Sequence, residues 1–373
     1  MTHASTRPDV VHVSSVHSWS DNRVHYRECV TLADAGYRVS LVAVRSTTDA
    51  PRTAVELIEL DRMPRALRVV LGSARAIAAG VRTKAPIVHL HDPELVWAIP
   101  LLRAMGRKVV YDAHEDLPHQ VAGKAYIPRP LRPVAVAAAH LAVRVAALSN
   151  RVVAATPTIA AHFPKKDVTV VRNYPVLRSE EAAARPSHQR SKKAAYVGLI
   201  APTRGARVMV DAAVHEAFPE DWRLTLAGPM SSELRKELEG MSGWGATDYK
   251  GQVPPDVARD LLLDAAVGFV LLEDKPAHRD ALPTKMFEYL AAGLPVIASD
   301  FPLWREIVLD GDCGLVVDPA SPSEVAEAVS RYANDPDLVA RHSANGRRLA
   351  VEELNWQREG ETLVGLYREL AAR

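Results

Sequence analysis

Apolar residues along this chain come in short continuous runs, separated by longer stretches with helical spacing. The runs are Val10–Val16, Val39–Val44, Ile87–Leu90, Val109–Asp112, Val152–Ala155, Val168–Val171, Ala195–Val197, Leu224–Ala227, Val267–Leu272, Val296–Ser299 and Leu315–Val317. They are rich in β-branched residues and do not alternate strictly with polar ones, the pattern of strands covered on both faces in parallel sheets. Between them lie helical stretches such as Arg27–Ala35 and Ser323–Ala333, so the order is strand–helix–strand. A polar stretch, Arg178–Lys193, interrupts this order and predicts a linker. Six strands precede it and five follow. The expectation is two doubly wound α/β domains of parallel strands with a ligand cleft between them. Ligands of such sheets bind beyond the carboxyl ends of the strands, which makes the residues after each run the first candidates.

Length agrees with this division, since 373 residues at roughly 150 per domain make two. Lys and Arg total 46 against 45 Asp and Glu. That balance excludes a surface given over to nucleic acid, which needs a marked basic excess. Only Cys29 and Cys313 occur, too few for a disulfide framework, so a reducing, cytoplasmic setting is expected. Met1–Asp9 lacks the apolar core of a signal peptide. No uncharged run reaches the roughly 18 residues of a membrane span. The nearest, Pro133–Leu148, carries His140 and Arg144 and is expected to be a buried helix.

Ionisable residues gather after two of the runs: His91-Asp92-Pro93-Glu94 follows Ile87–Leu90, and His114-Glu115-Asp116 follows Val109–Asp112. His89 and His91 share one side of a strand. With nearby carboxylates and His114 they have the donor types of a zinc-like site, and a metal-dependent hydrolase is one reading. Metal-free sugar recognition by His114 is a second. The plain alternative is that the histidines satisfy buried hydrogen bonds.

In the second half, Tyr196-Val-Gly-Leu-Ile-Ala-Pro-Thr-Arg-Gly205 turns from a strand into a helix through Val208–Ala213. A glycine turn with a cation beside a helix start suits an anion. No Gly-x-Gly-x-x-Gly or Walker sequence occurs. The most informative stretch runs from Asp280 to Asp300. It predicts a helix from about Pro283 to Ala292, stopped by Gly293, with Asp280 before it and Glu288 inside it. Free N–H groups at its start, with Lys285 beside them, suit a phosphate, and a carboxylate inside the first turns suits a diol. A bare i,i+3 Lys285–Glu288 pair, worth about 0.2–0.5 kcal/mol, is the alternative.

Tyr196–Gly205, Leu224–Pro229, Asp280–Asp300 and Gly311–Pro319 resemble, in order and spacing, the donor half of family 4 glycosyltransferases with the GT-B fold. The Leu-Pro-x-Lys-x-Phe-Glu-Tyr stretch is similar to bacterial polysaccharide-assembly members. Ser15–Arg23, Tyr26–Glu28, His89–Leu95 and Tyr111–Pro118 look like that subgroup's other domain. The resemblance implies two Rossmann-like domains facing across a cleft. They are an acceptor-side domain at 1–178, joined by the C-terminal helix 355–373, and a donor domain at 194–354, with 179–193 as linker. It places Glu288 on the nucleotide ribose, Asp280 on the donor sugar, and Ala281, Leu282 and Thr284 as backbone donors to the diphosphate. Arg204 stands for the usual Lys of the phosphate-binding pair. The usual partner Arg is Leu199 here, with Lys285 as its candidate replacement. Gly228 and the Gly251–Val253 turn, Val253 included, fall near the nucleotide, and His114 falls near the reacting face of the sugar. Asp310-Gly311-Asp312 matches a structural turn rather than a metal motif. The family retains anomeric configuration, has no accepted protein nucleophile, and its GT-B fold usually dispenses with a metal, so no metal or cofactor is expected.

The resemblance puts the acceptor on the first domain, where Asp21, Arg23 and His91 are candidates. The 64–81 stretch spaces Leu67, Val70, Leu71, Ala74, Ile77, Ala78 and Val81 as an apolar helix face, with Arg68, Arg75 and Arg82 on another. That basic face reads either as an anionic-membrane or lipid-diphosphate surface or as an ordinary solvated face. Tyr126–Arg132 is a second basic loop. The overall expectation is a retaining, metal-independent glycosyltransferase moving a sugar from a nucleoside-diphosphate donor, a UDP-sugar being the type case. Its acceptor would be a carbohydrate, lipid-linked or small molecule, and its setting cell-surface polysaccharide or glycolipid assembly at the inner membrane face. A natural-product glycosyltransferase and a non-catalytic nucleotide-sugar module are the alternatives on the same scaffold.

Overall fold

A computed structural model describes residues 7–46, 52–122, 127–164, 167–177 and 190–372. It divides the chain into two compact units, Met1–Asn173 with Trp356–Arg373, and Tyr174–Asn355. Each is a parallel sheet with helices on both faces, the Rossmann-like arrangement expected of each domain.

In the first unit the strands are β1 (Val10–Ser18), β2 (Val39–Val44), β3 (Glu56–Leu60), β4 (Ile87–Leu90), β5 (Lys108–Ala113), β6 (Arg151–Ala154) and β7 (Val168–Val170), in the order β3-β2-β1-β4-β5-β6-β7. Side chains of Val11, Val13, Val88, Leu90, Val109 and Tyr111 fill one face, under helices Ser73–Arg82, Ile99–Ala104 and Arg132–Ala146. On the opposite face Val10, Leu41, Ile87 and Val110 pack against the C-terminal helix Trp356–Ala372, through Leu363, Leu366, Tyr367 and Leu370. Trp356 Nε1 donates to Thr31 Oγ1 at 2.8 Å and pins that helix at its start.

The second unit carries β8 (Ser191–Val197), β9 (Arg223–Ala227), β10 (Thr247–Tyr249), β11 (Ala265–Val270), β12 (Val296–Ser299) and β13 (Gly314–Val317), ordered β10-β9-β8-β11-β12-β13. The strand order reverses between β1 and β4 in one sheet and between β8 and β11 in the other. Crevices at such reversals are where doubly wound sheets bind ligands.

Two strands escape the sequence pattern, β3 and β10. Each closes one edge of its sheet, and their Glu-Leu-Ile-Glu-Leu and Thr-Asp-Tyr sequences are half exposed rather than wholly apolar. The expected linker also ends earlier than its charge implies. Residues 178–189 of that stretch lie outside the described residues, but β8 begins at Ser191 inside it. Its polar side chains are absorbed by Asp264, which Ser191 Oγ and Lys193 Nζ each reach at 2.8 Å.

Two helices turn out differently from expectation. Pro133–Leu148 is not a buried helix: only Ala139 and Ala146 of Arg132–Ala146 are buried, while Val134 and Leu141 face outward. In the 65–82 helical segment the face turned to the sheet is the small one, made by Gly72, Ser73, Ala76, Ile77 and Gly80. A Cβ on Gly80 would lie 2.8 Å from Val13 Cγ2, so the helix sits too close to β1 for a side chain there. The larger Leu67, Val70 and Leu71 are left exposed.

Candidate active site

The C-terminal ends of β1, β4 and β5 carry a buried polar network. His12 and His89 are paired across β1 and β4, and their rings lie 4.5 Å apart, with His91 stacked 4.6 Å from His89. Hydrogen bonds run from His89 Nδ1 to Tyr367 Oη (2.7 Å), from Tyr367 Oη to His12 Nε2 (3.4 Å) and between His12 Nδ1 and His91 Nε2 (2.9 Å). His91 Nδ1 and His114 Nε2 both meet Asp112 Oδ2, at 3.3 and 3.1 Å. Only one direction of donation satisfies this chain with neutral rings. Asp112 accepts from both imidazoles, His91 Nε2 accepts from His12 Nδ1–H, and His12 Nε2 accepts the Tyr367 hydroxyl proton. His114 then carries its proton on Nε2 and keeps a lone pair on Nδ1.

Arg23 fixes Asp112. Its Nε and Nη2 donate to the two carboxylate oxygens at 3.2 and 3.0 Å, and Nη1 donates to Val171 O at 3.0 Å. Glu28 Oε1 lies 3.0 Å from the same Nε, and both carboxyls are wholly buried. Burial and the Asp112 charge push Glu28 well up, so it holds a proton. Burial opposes ionisation of Asp112, but Arg23 and the neighbouring imidazoles hold that group well below the usual range. Asp21 caps the following turn, accepting from the Arg23 and Val24 N–H groups through Oδ1 and meeting His17 Nδ1 through Oδ2 (2.9 Å). His17 stacks on His114 at 5.2 Å. Ser14 and Ser15 bind the Asp92 carboxylate, at 2.9 Å from Ser14 Oγ and 2.6 Å from Ser15 N.

Of the acceptor candidates, Arg23 and His91 are both buried and committed to the network. Asp21 is partly exposed, with both oxygens engaged locally. Asp92, named for the metal reading, is held by the serines. Donor atoms do converge within 4.8 Å at His91–Asp112–His114 and at His12–Glu28–His89–His91. His12, His91, Asp112 and the inner nitrogen of His114 have the protein partners named above, whereas Glu28 Oε1 and Oε2 and His89 Nε2 make no hydrogen bond among the described residues.

Burial drives His12, His89 and His91 below the ordinary histidine range. Below about pH 6.5 the unfolded chain takes up protons that these three cannot, at about 1.4 kcal/mol per proton per pH unit. Glu28, protonated in the fold and ionised when unfolded, works in the opposite direction but is one group against three. His17 is raised, so its contribution is already complete below about 6.5. The apparent Tm of this unit should fall between pH 6.5 and 5. A flat profile over that interval would contradict the neutral stack.

At the β8–β11 reversal the chain leaves β8 through Gly198 and β9 through Gly228, both with positive φ, +127° and +138°. Gly198 N–H donates to Ala227 O and Gly228 N–H to Gly251 O, each at 2.7 Å. A Cβ on Gly228 would fall 2.0 Å from Gly198 O, and one on Gly198 would fall 1.9 Å from Lys285 Nζ. The two glycines thus let two strand ends meet and let the Lys285 ammonium settle against the turn, 4.9 Å from the Tyr196 ring centroid. Gly228→Ala should cost about 1–3 kcal/mol in strain alone, read as a lower Tm. A variant with wild-type Tm would contradict the close approach of the two strand ends.

Lys285 lies in the first turn of helix Thr284–Ala291, whose N–H groups at Thr284 and Lys285 have no intrahelical acceptor. Burial, then the nearby Arg204 charge, pull its ammonium down to about 8. Two cations held together at some cost, beside unpaired N–H groups and a glycine turn, form a site that an anion would relieve. Glu288 is exposed on the same helix, one turn on, and among the described residues makes no ion pair with Lys285. Asp280 is exposed just before it, after the short turn Pro276–Arg279. Trp304 Nε1 holds the intervening loop through Ala281 O at 2.7 Å. Ala281 N–H donates to His278 O at 3.2 Å. Leu282 and Thr284 flank Pro283 on the same loop, and Val253 lies in the half-buried turn after Gly251. Trp304 was not singled out from sequence, whereas Tyr196 and Gly198 lie in the strand-to-helix stretch whose glycine turn was the signal.

Residues 178–349 match the family described as glycosyl transferases group 1. An alpha-D-kanosaminyltransferase from Streptomyces kanamyceticus is 26% identical over 176 residues, which are 47% of this chain and 45% of that protein. The chain spans about half the length of the curated relatives it matches. Among solved structures, a sucrose-phosphate synthase from Thermosynechococcus elongatus superposes with a TM-score of 0.71 at 18% identity, over 98% of this chain and 100% of that one. Anabaena HepE in complex with UDP superposes at 0.69 and 13% identity, over 96% and 99%. The fold of both is the fold of this chain.

Proposed function

We propose that this chain, similar to family 4 glycosyltransferases and carrying the glycosyl transferases group 1 match over 178–349, moves a sugar from a nucleoside-diphosphate donor to an acceptor hydroxyl. One observation carries the reading: Lys285 lodges against the Gly198 turn, within reach of the Arg204 charge, beside the open N–H groups of the Thr284–Ala291 helix. A leaving diphosphate gathers negative charge as the sugar departs, and preorganised donors of this kind stabilise it. Glu288, one turn along, suits the ribose hydroxyls, and Asp280 suits a hydroxyl of the donor sugar. In the other unit His114 Nδ1, held ready by Asp112, suits a hydroxyl of the sugar or acceptor. Retention, independence of metal, a UDP-type donor and a setting in polysaccharide or glycolipid assembly at the cytoplasmic membrane face belong to the same proposal. The kanosaminyltransferase likeness favours a second reading, in which the acceptor is a small natural product.

The test is turnover of a panel of nucleoside-diphosphate sugars, with water or envelope extract as acceptor. Nuclear magnetic resonance would read the anomer of the first product formed. Release of one nucleotide with retained configuration, undiminished by EDTA, is expected. Inversion, loss of turnover on chelation, or no turnover with any donor would contradict the proposal.

A further inference from the structure

In the first unit, three neighbouring helical segments cover one face of the sheet: 65–82, 93–104 and 132–146. A layer in this position normally turns its large apolar side chains inward. This one turns small residues inward along 72–80 and leaves large ones outside. Val70, Leu71, Trp97, Leu101, Val134 and Leu141, two from each segment, are between 49% and 68% exposed. Scattered exposed apolar side chains are ordinary, but adjacent ones on three packed helices make a patch of the kind that marks an interaction surface.

Charge says what covers it. Residues 65–82, 93–105 and 127–148 contain eight arginines and one acid, in a chain whose charges balance overall. The acid, Glu94, is engaged by Arg68 at 3.0 Å and by Ser15 Oγ at 2.7 Å. Arg75, Arg82, Arg129 and Arg144 are exposed. Apolar side chains interleaved with arginines, and almost no acid, suit a surface that is apolar below and anionic above.

We propose that this face docks on the anionic headgroups of a lipid bilayer, with Val70, Leu71, Trp97, Leu101, Val134 and Leu141 entering the acyl boundary and the arginines resting on phosphates. Attachment is from one side, since among the described residues no helix is long and apolar enough to cross a membrane. The inference deepens the membrane-face setting of the proposed function, and vesicle binding is read without turnover, so either can fail while the other stands.

Flotation of the full chain with vesicles tests it. Binding to phosphatidylglycerol-containing vesicles, absent with pure phosphatidylcholine and weakened by salt, is expected. Val70→Asp with Leu141→Asp should abolish it while Tm stays within a few degrees of wild type. Arg75→Glu with Arg144→Glu, at exposed positions, should weaken it about tenfold or more. No binding to anionic vesicles, equal binding to neutral ones, or unchanged binding of both variants would overturn the proposal. So would a concentration-dependent dimer that the same substitutions dissolve, since the face would then belong to a second copy of the chain.

Discussion

Replacing Arg23 with methionine should destabilise the first unit by about 3–5 kcal/mol, the usual consequence of stripping one partner from a buried ion pair. Arg23 is 5% exposed, and Asp112 and Glu28 are completely buried. The methionine fills similar space, so the loss is electrostatic: Asp112 keeps its charge without a counter-ion, or takes up a proton and releases His91 and His114. At about 2–4 °C per kcal/mol for a unit of this size, the transition should move down by roughly 6–20 °C. Arg23→Lys should recover only part, because an ammonium cannot hold both oxygens as the guanidinium fork does. Thermal or urea unfolding measures both. A methionine variant within about 1 kcal/mol of wild type would mean that Asp112 is already neutral and the described network is wrong.

The second large effect is kinetic. Glu288→Ala should raise donor KM about 10–100-fold with little change in kcat, as expected for a charged hydrogen bond worth about 1.5–3 kcal/mol made equally to bound donor and transition state. On the proposed role at the donor sugar, Asp280→Ala should instead act mainly on kcat, because a contact to the sugar strengthens as the glycosidic bond breaks while the nucleotide contacts stay as they were. Exposure of both residues argues that neither substitution unfolds the domain. Steady-state kinetics with a saturable donor separates them. Wild-type kinetics in both would remove these roles, and the reverse split would exchange them.

How far the sequence was legible follows burial. Strands covered on both faces read clearly, because a continuous β-branched run has few other uses. The edge strands β3 and β10 did not, since one side meets solvent and accepts Glu, Asp and Thr. Helix faces failed where apolarity was taken as a guide to the inside. In 65–82 close approach to β1 selects Gly72, Ser73, Ala76 and Gly80, and size, not hydropathy, decides which face is buried. On the donor side the Asp280–Asp300 stretch located the Thr284–Ala291 helix to within a residue at each end. That Lys285 lodges against Gly198 depends on two glycine φ values and a strand reversal, which no local spacing encodes. The burial of Arg23 and His91 was not legible for a related reason: their partners, Asp112 and Val171 for the first and His12 and Asp112 for the second, lie far along the chain.

Calorimetric titration of the full chain with a panel of nucleoside diphosphates, with and without EDTA, tests the central claim most directly. One nucleotide should bind, indifferent to the chelator, and should lose most of its affinity in Glu288→Ala and in Lys285→Ala while both variants keep wild-type Tm. If no nucleoside diphosphate binds at millimolar concentration, or if both variants bind as wild type does, the donor site described here is not one.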